Sequence, residues 1–161
     1  MNNLIHRAWA DYIQPILQRP NRLQVAALCH RRSDDGGVEV LIATSLSSRR
    51  WILPKGWPMD DMDLAGTARA EAWEEAGVVA RPGDPLELGN YLYEKRLAGG
   101  QTVTCEVRVF AFEVDRIETE FPESGERVIR WVAPDEAAEL VDETGLAEIL
   151  RRFARQTVSG A

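Results

Sequence analysis

The chain has 161 residues, 45% of them hydrophobic, which fits one globular domain around one core. A net charge of −7 argues against a broad basic surface for a nucleic-acid polymer, but it leaves room for a local cationic pocket that binds a small anion. No apolar run approaches the roughly 20 residues needed to cross a bilayer. Two cysteines make no disulfide framework, and residues 1–19 lack the apolar stretch of a secretory signal, so we expect a cytoplasmic protein.

The first part of the chain predicts an N-terminal segment followed by a strand hairpin. Residues 4–17 carry apolar side chains at roughly helical spacing, so residues 1–20 form a helix or an extended arm. Its apolar side chains could cover the sheet or a partner subunit, which leaves a homodimer open. Residues 23–29 and 38–44 predict two strands joined at the turn sequence of residues 34–37.

The middle of the chain predicts its best-defined helix. A strand over residues 51–53 ends at Pro54, and a polar loop follows over residues 55–63. The segment 64–76 is rich in Ala and Glu and contains no Pro, and Gly77 is a natural C-cap. We therefore predict a helix that begins after the loop and ends before this glycine.

The last part of the chain predicts a second hairpin and closing helices. Strands over residues 86–97 and 102–114 flank a Gly-Gly turn, and the second strand carries apolar residues on both faces, so both faces should be covered. The remaining elements are an acidic loop over 118–126, a strand over 128–132, and helices over 134–140 and 143–155. This order is typical of a mixed α/β layered domain.

Three glutamates crowd the central helix. Glu71 and Glu75 lie at i and i+4 on one helical face, and Glu74 sits beside them. Like charges at this spacing weaken a helix by roughly a few tenths of a kcal/mol per pair. A divalent cation such as Mg²⁺ requires hard oxygen ligands and would cancel the repulsion, whereas glutamate clusters on helices are usually solvated surfaces. The helix alone leaves both interpretations open.

The preceding loop favours the metal-binding interpretation, because its glycine and the residues of the helix together match a motif of fixed spacing. The positions concerned hold Gly56, Glu71, Ala72, Glu74, Glu75, Gly77 and Val78. This pattern resembles the signature box of the Nudix hydrolases, which runs Gly, five residues, Glu, seven residues, Arg-Glu, an aliphatic, any residue, Glu-Glu, any residue, Gly, aliphatic. Met62 stands where the first Glu of the box is expected, and Ala70 stands where its Arg is expected. The neighbouring Arg69 points about 100° away on a helix and is an imperfect substitute.

The resemblance implies that residues 1–161 form a single Nudix hydrolase domain, with the box over residues 56–78. The implied fold is an α/β/α sandwich with a mixed sheet, a catalytic loop and helix, and a C-terminal helix. The implied activity is hydrolysis of a phosphoanhydride bond with Mg²⁺, or Mn²⁺ as an alternative. We expect Glu71 and Glu75 to bind the metal, and the resemblance adds the backbone carbonyl of Gly56.

A general base must take a proton from the attacking water, and Glu74 is our candidate. In this family the base can instead come from a later loop, where Glu120 and Glu123 are the candidates. An acidic solvated loop is the simpler interpretation of those two residues.

Cationic residues suited to phosphate oxygens cluster near the box. Residues 22–131 are also similar to the diphosphoinositol polyphosphate phosphohydrolase branch, in the segments 26–29, 47–52, 121–123 and 130–131. That branch includes enzymes acting on diadenosine polyphosphates, so the substrate is an anionic polyphosphate small molecule of unfixed identity. The expected phosphate contacts are Arg22, Ser48, Arg49, Arg50, Lys55, Lys95, Arg96 and Arg127 or Arg130. Trp57, in the loop, is a plausible contact for a base of the ligand.

Two other functions stay open. Met62 and Ala70 would fit a catalytically weak or inactive Nudix-fold module that senses a ligand, although retention of all three glutamates argues against it. The clustered arginines could also serve an acidic protein partner. Metal-dependent phosphate release separates the hydrolase from both.

Overall fold

Eight strands form one mixed sheet with helices on both of its faces in the computed structural model, which describes residues 21–160. The strands are β1 (Arg22–Arg32), β2 (Val38–Thr44), β3 (Trp51–Ile52), β4 (Lys55–Gly56), β5 (Val78–Ala80), β6 (Leu86–Arg96), β7 (Thr102–Ile117) and β8 (Ile129–Val132). The helices are α1 (Leu64–Ala76), α2 (Pro134–Leu140) and α3 (Thr144–Ser159). The predicted N-terminal arm lies outside the described residues. Within residues 21–160, no helix is long and apolar enough to cross a membrane.

The sheet is built around one parallel pair, β1 with β7, whose register runs from Arg22 opposite Cys105 to His30 opposite Glu113. The other pairs are antiparallel, and both predicted hairpins, β1–β2 and β6–β7, are confirmed. The order along the sheet is β3-β2-β1-β7-β5, with β4 pairing β1, β6 pairing β7 and β8 pairing β2. The expected mixed α/β sandwich is therefore the observed fold.

Strand β7 separates two apolar cores, because alternate side chains point to opposite faces of a sheet. Val107 and Val109 belong to the core beneath α2 and α3, whereas Phe110 and Phe112 belong to the core beneath α1. The prediction that this strand is covered on both faces is confirmed. The α1 layer contacts the sheet through three alanines, Ala68, Ala72 and Ala76. These small side chains bring the helix backbone close to the sheet.

The helix α1 has the predicted bounds because both of its ends are capped. The Asp63 side chain accepts a hydrogen bond from the Gly66 backbone N–H at 2.6 Å, which satisfies one of the free donors of the first turn. Gly77 ends the helix with φ of 70°, in the left-handed region that glycine adopts without steric cost. A Cβ at this position would also overlap the Phe121 ring.

Two short strands differ from the sequence-based prediction. Residues 55–63 were expected to be a loop, but Lys55–Gly56 is a strand that pairs with β1, with Val25 opposite Gly56. Val78–Ala80 also pairs, with a β7 strand that continues to Ile117. Strands of two or three residues are too short to show an alternating pattern, so the sequence contains no periodic signal for them.

Candidate active site

Two of the predicted glutamates lie on the face of α1 that packs toward the sheet. Glu71 and Glu75 are 9% and 5% exposed, although both are carboxylic acids. The Gly56 backbone lies against the first of them, since a Cβ at Gly56 would overlap the Glu71 carboxylate. The pairing of β4 with β1 therefore fixes the box glycine beside one acid. Glu74, on the same helical turn, is half-buried.

The two acids are electrostatically strained as a pair. Burial raises the pKa of Glu71 to about 8, and the neighbouring carboxylates of Glu75 and Glu74 add to the effect. Burial raises the pKa of Glu75 to about 7, which the Arg127 charge opposes and the Glu123 charge reinforces. Two buried carboxylates with raised pKa values form a site that a cation would stabilise.

The donor set fits a magnesium or manganese ion. The Oε2 atom of Glu75 is buried and has no hydrogen-bond partner among residues 21–160, so one hard oxygen is left uncommitted there. Within residues 21–160, no group of three or more His, Cys, Asp or Glu side chains is arranged to enclose a metal. Mg²⁺ is commonly held by one or two carboxylates and completes its octahedron with water and substrate phosphates. The carboxylates of Glu71 and Glu75, with the Gly56 backbone beside them, are compatible with that mode of binding.

Arg127, from the loop before β8, reaches the acidic pair. Its Nη2 atom lies 3.3 Å from Glu75 Oε1 and 3.5 Å from Glu123 Oε1, and its Nη1 donates to the Thr44 carbonyl at 3.0 Å. The side chain is only 8% exposed. Among residues 21–160, the two Nη atoms of Arg127 thus face protein oxygens, whereas its buried Nε has no hydrogen-bond partner. The expected phosphate contact of Arg127 stays a prediction.

A cationic cavity of about 520 Å³ has Lys55, the neighbour of Gly56 in β4, in its lining. Its lining residues are Ser45, Ser47, Ser48, Arg50, Lys55, Tyr93, Glu94, Lys95 and Arg96. Five of the expected phosphate contacts, Ser48, Arg50, Lys55, Lys95 and Arg96, are thus brought together. Arg22 and Arg49 are not among the lining residues: Arg22 is the exposed first residue of β1, and Arg49 donates to the Glu126 carbonyl at 3.2 Å.

Lys55 connects the cavity with the acids. It lines the cavity, and its Nζ lies 5.1 Å from the centre of the Tyr93 ring. Burial lowers its pKa to about 8, while the Glu75 carboxylate acts in the opposite direction. This places a cation between the two halves of the site, at the strand that carries Gly56.

Arg50 is held in place on one wall of the cavity. Its Nη1 donates to Glu143 at 2.8 Å, and its Nε donates to the Ser48 hydroxyl at 3.1 Å. Lys95 lies 5.9 Å from the centre of the Trp57 ring, which is 40% exposed. The tryptophan therefore lies beside a cavity-lining residue.

Sequence reasoning missed several members of this region, among them Ser45, Tyr93, Glu94 and Glu143. Tyr93 alternates with exposed residues along β6, and this period-2 pattern could have marked it as inward-facing. Glu143, whose side chain is 9% exposed, lies just before α3 and carries no sequence signal that would join it to Arg50. The contact links two segments that are distant in the chain.

The two departures from the box, Met62 and Ala70, place uncharged side chains where the box has charged ones. Met62 is 43% exposed. Arg69 donates to the carbonyls of Ala80, Arg81 and Gly83 at 3.2, 3.0 and 3.0 Å. Arg69 is thus committed to the β5 side of the helix, and it does not replace the arginine missing at position 70.

The NUDIX domain family model matches residues 21–153. The chain belongs to the Nudix family. Nudix hydrolase 21, chloroplastic, of Arabidopsis thaliana is 30% identical over 145 residues, which cover 85% of this chain and 70% of that protein. Nudix hydrolase 13, mitochondrial, of the same plant is 32% identical over 127 residues, covering 73% of this chain and 60% of that protein. The Nudix resemblance drawn from the box is confirmed.

Solved structures show the same Nudix fold. The Ap4A hydrolase of C. elegans superposes with a TM-score of 0.64 at 17% identity and covers 84% of this chain and 98% of its own. The NUDIX domain of Shewanella oneidensis NrtR, complexed with ADP ribose, has a TM-score of 0.60 at 18% identity, covering 91% and 96%. The plant relatives carry chloroplastic and mitochondrial names, so the cytoplasmic location of this chain stays a prediction. The homodimer and the extension of the domain into residues 1–20 are also untested predictions.

Proposed function

We propose that this Nudix protein is a Mg²⁺- or Mn²⁺-dependent hydrolase that cleaves a phosphoanhydride bond in a polyphosphorylated small molecule. The observation that carries the proposal is the buried pair Glu71 and Glu75, set against the Gly56 backbone and joined through Lys55 to a cationic cavity. The acids suit a divalent cation, and the cavity suits the phosphates of the ligand. A bound cation would explain why two acids are buried together, and a bound polyphosphate would explain why cations cluster in the cavity, although each arrangement alone destabilises the fold.

The metal ligands in this proposal are the carboxylates of Glu71 and Glu75 and the backbone carbonyl of Gly56. When bound, the ion offsets phosphate charge, orients the reacting phosphate and makes water a better nucleophile. The chain's own contribution is to hold two acids and a glycine backbone in a fixed frame, because α1 packs on the sheet through small alanines.

Glu74 is the proposed general base, since it is half-buried on the same helical turn as the acid pair. Glu123 is the alternative, because its carboxylate is near enough to raise the pKa of both Glu71 and Glu75. Glu120, the other acid of that loop, is exposed. Glu74 and Glu123 predict different variants to be inactive.

The cavity residues bind the phosphates of the substrate in this proposal. Arg50 is preoriented by Glu143 and Ser48, which lowers the entropy that a phosphate contact must overcome. Lys55, Lys95 and Arg96 add positive charge on the other walls. Arg22 and Arg49, which lie outside the cavity lining, would at most contact the distal parts of a long substrate.

The positive charge of the cavity supports an anionic, polyphosphorylated substrate. Candidates are a diadenosine polyphosphate, a diphosphoinositol polyphosphate or another nucleoside diphosphate derivative. The C. elegans Ap4A hydrolase and the ADP ribose complex support the inclusion of nucleotide ligands, at the level of a shared fold. Trp57 beside Lys95 offers an aromatic face on which a base could stack. No nucleic-acid polymer is expected, given the net charge of −7.

The second candidate is a ligand-sensing Nudix module with weak or no catalysis, favoured by Met62 and Ala70 in place of two charged box residues. It would bind the same ligands through the same cavity. It differs from the hydrolase in producing no phosphate or nucleotide product.

A substrate panel with Mg²⁺ or Mn²⁺ separates the two functions. Dinucleoside polyphosphates, nucleotide sugars, ADP ribose and inositol pyrophosphates are incubated with the wild-type protein and with the Glu75→Gln, Glu74→Gln and Glu123→Gln variants. We expect metal-dependent turnover that Glu75→Gln abolishes and that one of the other two variants lowers by about 100-fold or more. Glu148→Gln, at an exposed position of α3 on the opposite face of the sheet, is the matched control. Ligand binding without metal-dependent turnover on any substrate would favour the sensor.

A further inference from the structure

The resemblance to the Nudix box implies an arginine at position 70 that would orient and partly neutralise the glutamates of the helix, and this chain has none there. The box arginine is replaced by Ala70, and the adjacent Arg69 donates only to carbonyls on the β5 side of α1. A buried acid whose orientation is not fixed is a poor metal ligand, because ligands depend on outer partners for their direction. The Lys55 backbone N–H gives Glu75 one such partner, and a side-chain cation in place of the missing arginine would fix its direction further.

Arg127 has the geometry for this task. Its Nη2 lies 3.3 Å from Glu75 Oε1, and its Nη1 donates to the Thr44 carbonyl at 3.0 Å, so the planar fork spans two fixed points. Both side chains are more than nine-tenths buried. The contact engages Oε1 of Glu75, and Oε2 has no hydrogen-bond partner in the described part of the chain.

The loop that carries Arg127 is anchored to α1 independently of the guanidinium. The Glu123 backbone N–H donates to the Glu74 carbonyl at 2.9 Å, and the Glu118 N–H donates to the Gly77 carbonyl at 2.8 Å. The Phe121 ring lies 6.5 Å from the Trp73 ring. Because these contacts hold the loop, the position of Arg127 is set by the fold and not by the ion pair alone.

We propose that Arg127 is a positioning residue that fixes Glu75 for metal binding, in place of the arginine that position 70 lacks. This inference rests on the proposed function. The fork holds one carboxylate oxygen of Glu75 and presents the other to the cation. In this role Arg127 acts through Glu75 and not on substrate or reacting atoms, which is the alternative to the phosphate contact expected from the sequence.

The charge of Arg127 makes the inference sharply testable, since a guanidinium also repels a cation. If repulsion were its main effect, removing it would tighten metal binding. If orientation dominates, removing it weakens metal binding by about 10- to 100-fold, the usual effect of losing an outer partner. The two possibilities predict opposite signs.

The first measurement is Mn²⁺ affinity of the metal-stripped protein, read by electron paramagnetic resonance without substrate. We expect Arg127→Met to raise the Kd by about 10-fold or more, and Arg127→Lys to raise it less, because one ammonium cannot replace the fork. Arg81→Met is the matched control, since Arg81 lies in an exposed ion pair with Glu113. Circular dichroism verifies that each variant is folded. Wild-type or tighter Mn²⁺ binding by Arg127→Lys overturns the inference, whether or not Arg127→Met folds.

The second measurement separates positioning from substrate binding. At saturating metal, a positioning role lowers kcat and leaves KM for the substrate within about twofold. A rise in KM with unchanged kcat would make Arg127 a phosphate contact and overturn the inference. If the wild-type protein neither binds Mn²⁺ nor hydrolyses any substrate, the proposed function itself fails. An active wild type with unaffected Arg127 variants rejects only the positioning role.

Discussion

Replacing Glu71 by Gln should stabilise the metal-free protein at alkaline pH. Burial raises the pKa of Glu71 from an ordinary value of 4.5 to about 8, so the folded protein retains a proton that the unfolded chain has lost. Folding is then coupled to proton uptake, and stability falls as the pH rises from about 4.5 to about 8. Glutamine resembles the protonated acid and does not ionise, so the variant avoids this loss.

The size of the effect follows from the difference in proton affinity. Each tenfold difference corresponds to about 1.4 kcal/mol, and partial access of solvent to the acid pair reduces the total, so we expect roughly 2 kcal/mol at pH 8.5. For a domain of this size, 1 kcal/mol shifts Tm by about 2–4 °C, so Glu71→Gln should melt roughly 4–8 °C above the wild type. Near pH 5 the difference should be several-fold smaller than at pH 8.5, because that pH lies close to 4.5, where the unfolded acid only begins to lose its proton.

Thermal denaturation followed by circular dichroism, in a chelator and from pH 5 to 8.5, measures this difference. Glu148→Gln, whose side chain is exposed, should change Tm little at any pH. Added Mg²⁺ should raise the Tm of the wild type at pH 8.5 and leave that of Glu71→Gln almost unchanged. A metal-free Glu71→Gln protein that is no more stable than the wild type at pH 8.5 would refute the electrostatic reasoning.

Three further predictions concern the glycines and the cavity lysine. Gly56→Ala should lower turnover by about 10-fold or more and should also reduce the Mg²⁺-induced rise in Tm, because the added Cβ would displace the Glu71 carboxylate. Gly99→Ala adds a Cβ in open space and should match the wild type in both assays. Burial lowers the pKa of Lys55 to about 8, so the lysine loses its charge as the pH passes 8, and the KM for an anionic substrate should then rise. In steady-state assays, Lys55→Met should have a high KM that does not depend on pH. Gly77→Ala should lower the free energy of unfolding by about 1–3 kcal/mol, because φ is 70° at this position and the added Cβ has no space. Urea denaturation measures this, and an unchanged urea midpoint would contradict it.

The elements predicted most accurately from the sequence are those whose signals are local. The helix 64–76 has its capping residues within the same stretch of chain, and the predicted bounds match the observed ones. The helix 134–140 begins at a proline and was also predicted with its observed bounds. The short strands β4 and β5 were missed because their pairing partners, β1 and β7, lie elsewhere in the chain. Nothing within two or three residues could indicate that pairing.

The candidate site shows the same division between local and distant information. The box spacing indicated that Glu71 and Glu75 share a face, and the chain places both in a buried position beside Gly56. The contact of Arg127 with Glu75 depends on the course of the loop before β8, which no local pattern encodes. Sequence reasoning recognised that an arginine was missing at position 70, but the substitute that it named was the imperfect Arg69 and not Arg127.

The parallel pairing of β1 with β7 has a consequence for how this protein could diversify. The acids stand on α1, on one side of this central pair, while most cavity walls come from β6 and from the loop between β2 and β3. Arg50, Lys95 and Arg96 could therefore be exchanged for other side chains without moving either acid. Ligand preference and bond cleavage would then vary independently in descendants of this chain, with Lys55 as the position where a change affects both.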